Sequence, residues 1–112
     1  MTVYKQQDIV LLDFGFSEGI GYKKRPALIV SGDNYNKSRR EVIAAAITSN
    51  IERILFADTK IERWKESGLL YPSLVTAIVR TVKNNTILRK LGILSEEDFR
   101  NAQKNLAKAI GL

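Results

Sequence analysis

The sequence predicts a mostly β, α+β domain in which a small, strongly bent antiparallel barrel is finished by one C-terminal helix. Three observations carry that expectation. The chain has 112 residues, the size of one domain, and its 45% hydrophobic content suffices for a core. Short apolar runs, five or six of them, recur as far as Leu94 with turn-forming residues between them. From Ser95 onward the apolar period becomes helical.

Asp8 to Phe14 (DIVLLDF) is too short for a helix and reads as a buried strand. Phe14 to Gly21 follows with three glycines, the mark of a loop or wide hairpin. Arg25 to Ser31 (RPALIVS) is the second strand, and Pro26 is tolerated at its start because no ladder donor is lost there. Gly32-Asp33-Asn34 predicts a turn, and Val42 to Ser49 (VIAAAITS) a third strand. Ile54 to Thr59 offers a fourth strand, and Ile61 to Glu66 a single helical turn closed by Gly68. Ser73 to Val82 (SLVTAIVRTV) is rich in β-branched residues and is the longest strand. Ile87 to Leu94 reads as a short strand interrupted by Gly92.

The terminal helix has its own start signal. Ser95-Glu96-Glu97-Asp98 fits a capping box. Its carboxylates lie at the positive end of the helix dipole, with Lys104 and Lys108 towards the negative end. Phe99, Ala102, Leu106 and Ile110 form one apolar stripe, and Gly111 is a suitable stop.

Composition excludes whole classes of chemistry. There is no cysteine and no histidine. Disulfides, thiolate nucleophiles, imidazole acid–base catalysis and the usual zinc sites are therefore ruled out. Eighteen basic and twelve acidic residues leave a net charge of +6, which suits a polyanionic partner. No stretch reaches the roughly 18 apolar residues of a membrane span. Met1 to Asp8 lacks the apolar core of a signal peptide, so the cytoplasm is the expected compartment, with no membrane partner.

Two places stand out for chemistry. Lys23-Lys24-Arg25 puts three cations between the glycine-rich segment and a strand. A guanidinium is planar, permanently charged and matched to two phosphate oxygens, so Arg25 at a strand start is suited to hold a phosphate. A solvated basic loop would look the same. The other place is the third strand, where alternation groups Val42, Ala44, Ala46 and Thr48 on one face. Small side chains there admit a ligand beside the Thr48 hydroxyl, or simply make room for the terminal helix.

Charge asymmetry adds a surface. Ser67 to Ser95 holds no acid but carries Arg80, Lys83, Arg89 and Lys90, while Lys37, Arg39 and Arg40 form a further cluster. Phe14, Phe16, Tyr22 and Tyr35 flank cations; Phe16 and Tyr22 are the better candidates for stacking on unpaired bases, and Phe14 for the core. Trp64 fits a core edge. Asp8, Asp13 and Asp33 form neither a glycosidase pair nor a metal cluster, which leaves Glu18 as the one carboxylate placed to carry a proton.

Taken in order, these blocks resemble the MazF/PemK toxins of bacterial type II toxin–antitoxin systems. Asp8 to Phe14 is similar to that family's opening G-D-I-V-x-V-x-F strand, with Gln7 at the usual glycine. Arg25 to Val30 is similar to its R-P-A-L-V-V block, and Val42 to Ser49 to its V-I-V-A-P-I-T-S block, with Ala46 at a common proline. Gly68-Leu69 and Ser73-Leu74-Val75 resemble its G-L-x-x-x-S-x-V stretch. Arg80-Thr81-Val82 and Leu91-Gly92 to Ser95 resemble the closing R-T-I and L-G-x-L-S signatures.

The resemblance implies an SH3-like barrel, usually a homodimer, that cuts single-stranded RNA at short sequences without a metal ion or other cofactor: an mRNA interferase. Its catalytic pair falls on Arg25 and Thr48, with Lys23, Lys24, Ser49, Tyr22, Phe16 and Arg80 as the expected RNA-binding residues. The partner it implies is an antitoxin with an acidic segment. Three positions depart from the pattern. Ile20 and Gly21 stand where many members carry His or Ser followed by Glu, Ala77 and Ile78 where many carry a carboxylate and a glutamine, and Lys83 where Asp is usual. The same barrel occurs in CcdB-type toxins that bind DNA gyrase, and a non-catalytic RNA-binding barrel is a third reading. RNA cleavage, gyrase inhibition, or RNA binding without cleavage separates the three.

Overall fold

A computed structural model describes residues 3–13 and 24–112. Its strands are β1 (Asp8–Asp13), β2 (Lys24–Ile29), β3 (Glu41–Thr48), β4 (Thr59–Lys60), β5 (Leu74–Lys83) and β6 (Ile87–Ile93). Helix α1 (Asp33–Arg39) joins β2 to β3, and α2 (Glu96–Ala109) ends the chain. All neighbouring strands are antiparallel, in the order β4-β5-β3-β2-β1-β6. This is the expected barrel-like sheet with a C-terminal helix. Among the described residues it stays open between its edges, β4 and β6.

Strand alternation builds a core on each face. Val10, Leu12, Ala27, Ile29, Val42, Ala44 and Ala46 pack with Tyr4 and Ile87 on one side. Ile9, Leu28, Ala45, Ile47 and Val75 pack with Ile61, Leu94, Phe99 and Ala102 on the other. The small residues Ala44 and Ala46 therefore do not make room for the terminal helix, which covers the opposite face through Phe99 and Ala102. Trp64 lies half-buried at the edge of that second core. The apolar stripe of α2 fades along its length: Phe99 and Ala102 are buried, Leu106 is half-buried and Ile110 is exposed.

Two expected elements differ. Gly32 begins not a turn but α1, whose sequence DNYNKSR has no apolar period to announce a helix. Side-chain hydrogen bonds hold it instead. Asn36, 3% exposed, donates to the Ser31 carbonyl and accepts from the Ser31 hydroxyl, which itself accepts from the Ile43 amide. Asp33 accepts from the Gln6 amide at 2.9 Å. Tyr35 donates to Glu41 at 2.7 Å, and that carboxylate holds the Tyr35 pKa above its ordinary value.

The other difference is the fourth strand, which is confined to Thr59–Lys60. Upstream of it the chain turns tightly: Ala57 takes a left-handed φ of 74°, while Asp58 accepts the Leu55 amide through Oδ2 and donates its own amide to the Leu55 carbonyl. Ile54, Leu55 and Phe56 are left exposed.

Gly68 and Gly92 mark a backbone contact that no side chain would fit. A Cβ on Gly92 would stand 2.1 Å from the Ser67 carbonyl oxygen, and one on Gly68 2.2 Å from that of Leu91. β6 runs through Gly92 to Ile93 instead of breaking there, and Gly92 is where it touches the 61–68 turn. Gly92→Ala is expected to cost about 2 kcal/mol, because backbone on both sides must move. A urea melt checks this; an unchanged midpoint would mean the contact yields freely.

A candidate RNA-cleavage site

The site is assembled at one end of the sheet, where β2 begins and β3 ends. Ala27 pairs with Ala46 and Leu28 with Ala45. Continuing that register by two residues sets Arg25 opposite Thr48, on the face that carries Ala27 and Ala46. Arg25 and Thr48 are both half-buried, which restricts their reach. The Thr48 hydroxyl oxygen accepts the Asn50 amide at 3.1 Å. Its proton is left to donate to a ligand.

Two grooves meet at Arg25. One, of about 520 Å³, is lined by Arg25, Thr48, Asn50, Arg53, Phe56 and the β5 residues 76–78. The other, of about 570 Å³, lies on the opposite side and is lined by Lys24, Arg25, Ser49, Tyr71 and Arg89 above an apolar floor. A guanidinium at the junction can grip a phosphate while the groups on either side of it enter different grooves. Asp58 is the single carboxylate among the described residues lining either groove, and its Oδ2 is engaged by the Leu55 amide.

A bulge in β5 shapes the first groove. Ala45 pairs with Val79 but Ile47 pairs with Val75, so β5 spends two extra residues across from Ala46. The Thr76 hydroxyl fills the gap, donating to the Ala46 carbonyl at 2.8 Å and accepting the Ile78 amide at 3.2 Å. Ala77 and Ile78 are thereby turned into the groove wall.

The structure thus places four of the expected site residues together: Arg25 with Thr48 in one groove, and Arg25 with Lys24 and Ser49 in the other. Arg80 lines neither; it sits on β5 opposite Ala44. Phe16, Tyr22 and Lys23 lie outside the described residues, as do Phe14 and Glu18. Sequence reasoning missed Asn50, Arg53 and Phe56. The available signal was Phe56, an aromatic next to a positive-φ turn, which the strand reading absorbed; it is 80% exposed. Arg89 belonged to the acid-free stretch and to the expected strand Ile87 to Leu94, but nothing local to that strand tells that it lies beside β1.

Comparison with known proteins adds the lineage. Among solved structures, an endoribonuclease from a mycobacterial species superposes at a TM-score of 0.79 with 19% identity, covering 100% of this chain and 95% of its own. MazF from Deinococcus radiodurans superposes at 0.79 with 20% identity and 100% coverage of both chains. A mycobacterial endoribonuclease in complex with its cognate antitoxin gives 0.77 at 19% identity, covering 100% and 97%. At these identities the likeness speaks for the fold. No curated protein matches the sequence. The model of one family spans residues 5–110. On that match the chain belongs to the PemK-like, MazF-like toxins of type II toxin–antitoxin systems.

Proposed function

We propose that the protein is the toxin of a toxin–antitoxin pair and acts as a metal-independent endoribonuclease, an mRNA interferase, on single-stranded RNA. The observation that carries this reading is the meeting of Arg25 and Thr48 in one groove at the junction of two. The 2′-hydroxyl attacks the adjacent phosphorus as the P–O5′ bond breaks. A 2′,3′-cyclic phosphate and a 5′-hydroxyl end result. The proton lost from the 2′-oxygen is balanced by one gained at the 5′-oxygen.

Negative charge grows on the non-bridging oxygens, where a guanidinium held in place by the sheet stabilises it. Arg25 takes that role and is also the proposed proton donor to the departing oxygen. Thr48 donates to the phosphate or aligns the 2′-hydroxyl. Lys24 and Ser49, with Phe16, Tyr22, Lys23 and Arg80, hold the flanking strand. DNA lacks the attacking hydroxyl and is not cut.

A homodimer, a cytoplasmic setting and an antitoxin partner accompany this reading. An acidic antitoxin segment would compete for the cations around Arg25, and the +6 net charge favours its approach. A solved mycobacterial endoribonuclease in complex with its cognate antitoxin supports the partner. No helix among the described residues is long and apolar enough to cross a membrane.

The test is incubation of the purified protein with a long single-stranded RNA in excess EDTA, followed by end mapping. Cuts at one short motif are expected, bearing cyclic phosphate and 5′-hydroxyl ends. Thr48→Val should lower the rate about 100-fold, as loss of one preorganised donor does, while Thr48→Ser retains most of it. Intact RNA that shifts on a gel would instead identify a binding barrel.

A further inference from the structure

At the other end of β3 from Arg25 lies a groove of about 540 Å³ that the cleavage reading leaves unused. Arg39, Arg40, Lys83, Asn84 and Tyr4 line it together with Glu41. Glu41 is committed within the protein: it accepts the Tyr35 hydroxyl at 2.7 Å and the Arg39 guanidinium at 3.3 Å. Arg40 and Lys83 are exposed and set the sign of the pocket. Its geometry is fixed by the backbone. Arg40 holds a left-handed φ of 53°, and its carbonyl accepts the Asn84 amide at 3.2 Å.

Asn84 supplies a second, independent signal. Its Oδ1 is buried and has no hydrogen-bond donor, a state that costs free energy until a donor arrives. A pocket with cations at its mouth and a wall residue that carries an unmet acceptor suits a ligand that is anionic and also carries N–H or O–H groups. A nucleotide unit has both, through its phosphate and its base amine.

One strand, β5, runs between the two ends. Beyond its bulge, β5 has no strand on its outer side among the described residues, since β4 reaches only Leu74 and Val75. Ile78 lines the Arg25–Thr48 groove, Lys83 lines the second pocket, and Arg80 stands between them on the exposed strand. The five-residue separation spans about 17 Å at strand rise, the reach of a few nucleotides. The Lys83 side chain has the sign that such a path requires.

Resting on the nuclease reading above, the geometry points to an RNA track that leaves the cleavage groove along the open edge of β5 and ends in the Arg40–Lys83–Asn84 pocket. That pocket anchors a nucleotide remote from the cut and favours long substrates over short ones.

The probes are uncleavable, fully 2′-O-methylated RNAs of about 4 and about 14 nucleotides, spanning the usual single-strand site sizes. Fluorescence anisotropy is read against salt for wild type and for the R40Q/K83Q double variant. In wild type the long probe is expected to bind more tightly and with a steeper salt slope. The double variant should lose about 1.4 from that slope, two phosphate contacts at about 0.7 each, along with the length advantage. Its melting curve confirms that both exposed substitutions leave the fold intact.

An unchanged slope for the long probe would overturn the track. So would a loss that coincides with a change in sedimentation, which marks an interface between copies. An equal loss for polyglutamate would assign the pocket to an acidic protein segment. If wild type cuts RNA and the slope does not move, the track alone fails. If wild type neither cuts nor binds either probe, the nuclease reading fails and the track with it.

Discussion

Arg25→Ala is expected to reduce cleavage of single-stranded RNA about 1,000-fold while the protein stays folded. The size follows from where the charge develops. In the trigonal-bipyramidal state an extra negative charge is shared among oxygens that only a fixed cation can neutralise without reorganising solvent. Removal of arginines that serve phosphoryl transfer typically costs about 10³-fold or more. Among the described residues lining the two grooves, Lys24, Arg53 and Arg89 are the other cations, and each approaches from one side only. They can hold the strand but cannot replace a group at the junction.

Arg25→Lys keeps the charge and gives up the planar two-point grip, so partial activity is expected between the two extremes. Single-turnover rates on an end-labelled RNA provide the measurement, with circular dichroism as the fold control. A variant that turns over at the wild-type rate would remove Arg25 from the mechanism. A variant that binds RNA as before and fails only in rate would place its contribution in the transition state.

The legibility of this site in the sequence followed the physics of each part. Strand alternation is local, so VIAAAITS alone sets Ala46 and Thr48 on one face, and the paired register then brings Arg25 across. Two features escaped because they depend on contacts distant in sequence. Helix α1 is polar throughout and exists because Asn36, Ser31, Asp33 and Gln6 exchange hydrogen bonds across loops. The β5 bulge arises from a count mismatch between two strands, which neither strand reveals by itself. The segment with Leu55 and Phe56 was misread for a related reason. Its apolar residues have strand composition, yet they serve a groove wall, and the turn at Ala57 and Asp58 prevents pairing.

Asp98→Ala is expected to lower stability by about 3 kcal/mol. As read from sequence, Asp98 closes a capping box and faces the helix dipole. The cap itself is present, since Ser95 accepts the Asp98 amide at 3.2 Å. The Asp98 carboxylate, however, is turned away from the helix start and is 1% exposed. Oδ1 accepts the Glu62 amide at 3.1 Å and Oδ2 the Arg63 amide at 3.0 Å.

It therefore ties the first turn of α2 to the 61–68 turn, whose Ile61 and Leu69 ends are in the same core as Phe99. Alanine would strand two amides and release that turn. Asparagine would still accept one amide but would set its own N–H₂ against the other, so most of the loss should persist. Ser95→Ala, which removes only the cap, should cost about 1 kcal/mol. Chemical denaturation of the three variants ranks these contributions, and a D98N protein as stable as wild type would refute the tie.

The consequence reaches the grooves. The 61–68 turn delivers Gly68, Leu69, Leu70 and Tyr71 to the wall of the larger one. Loosening it should weaken RNA binding there while sparing the Thr48 side. A raised KM with little change in kcat would show that Asp98, out of reach of any substrate, positions one wall of the site.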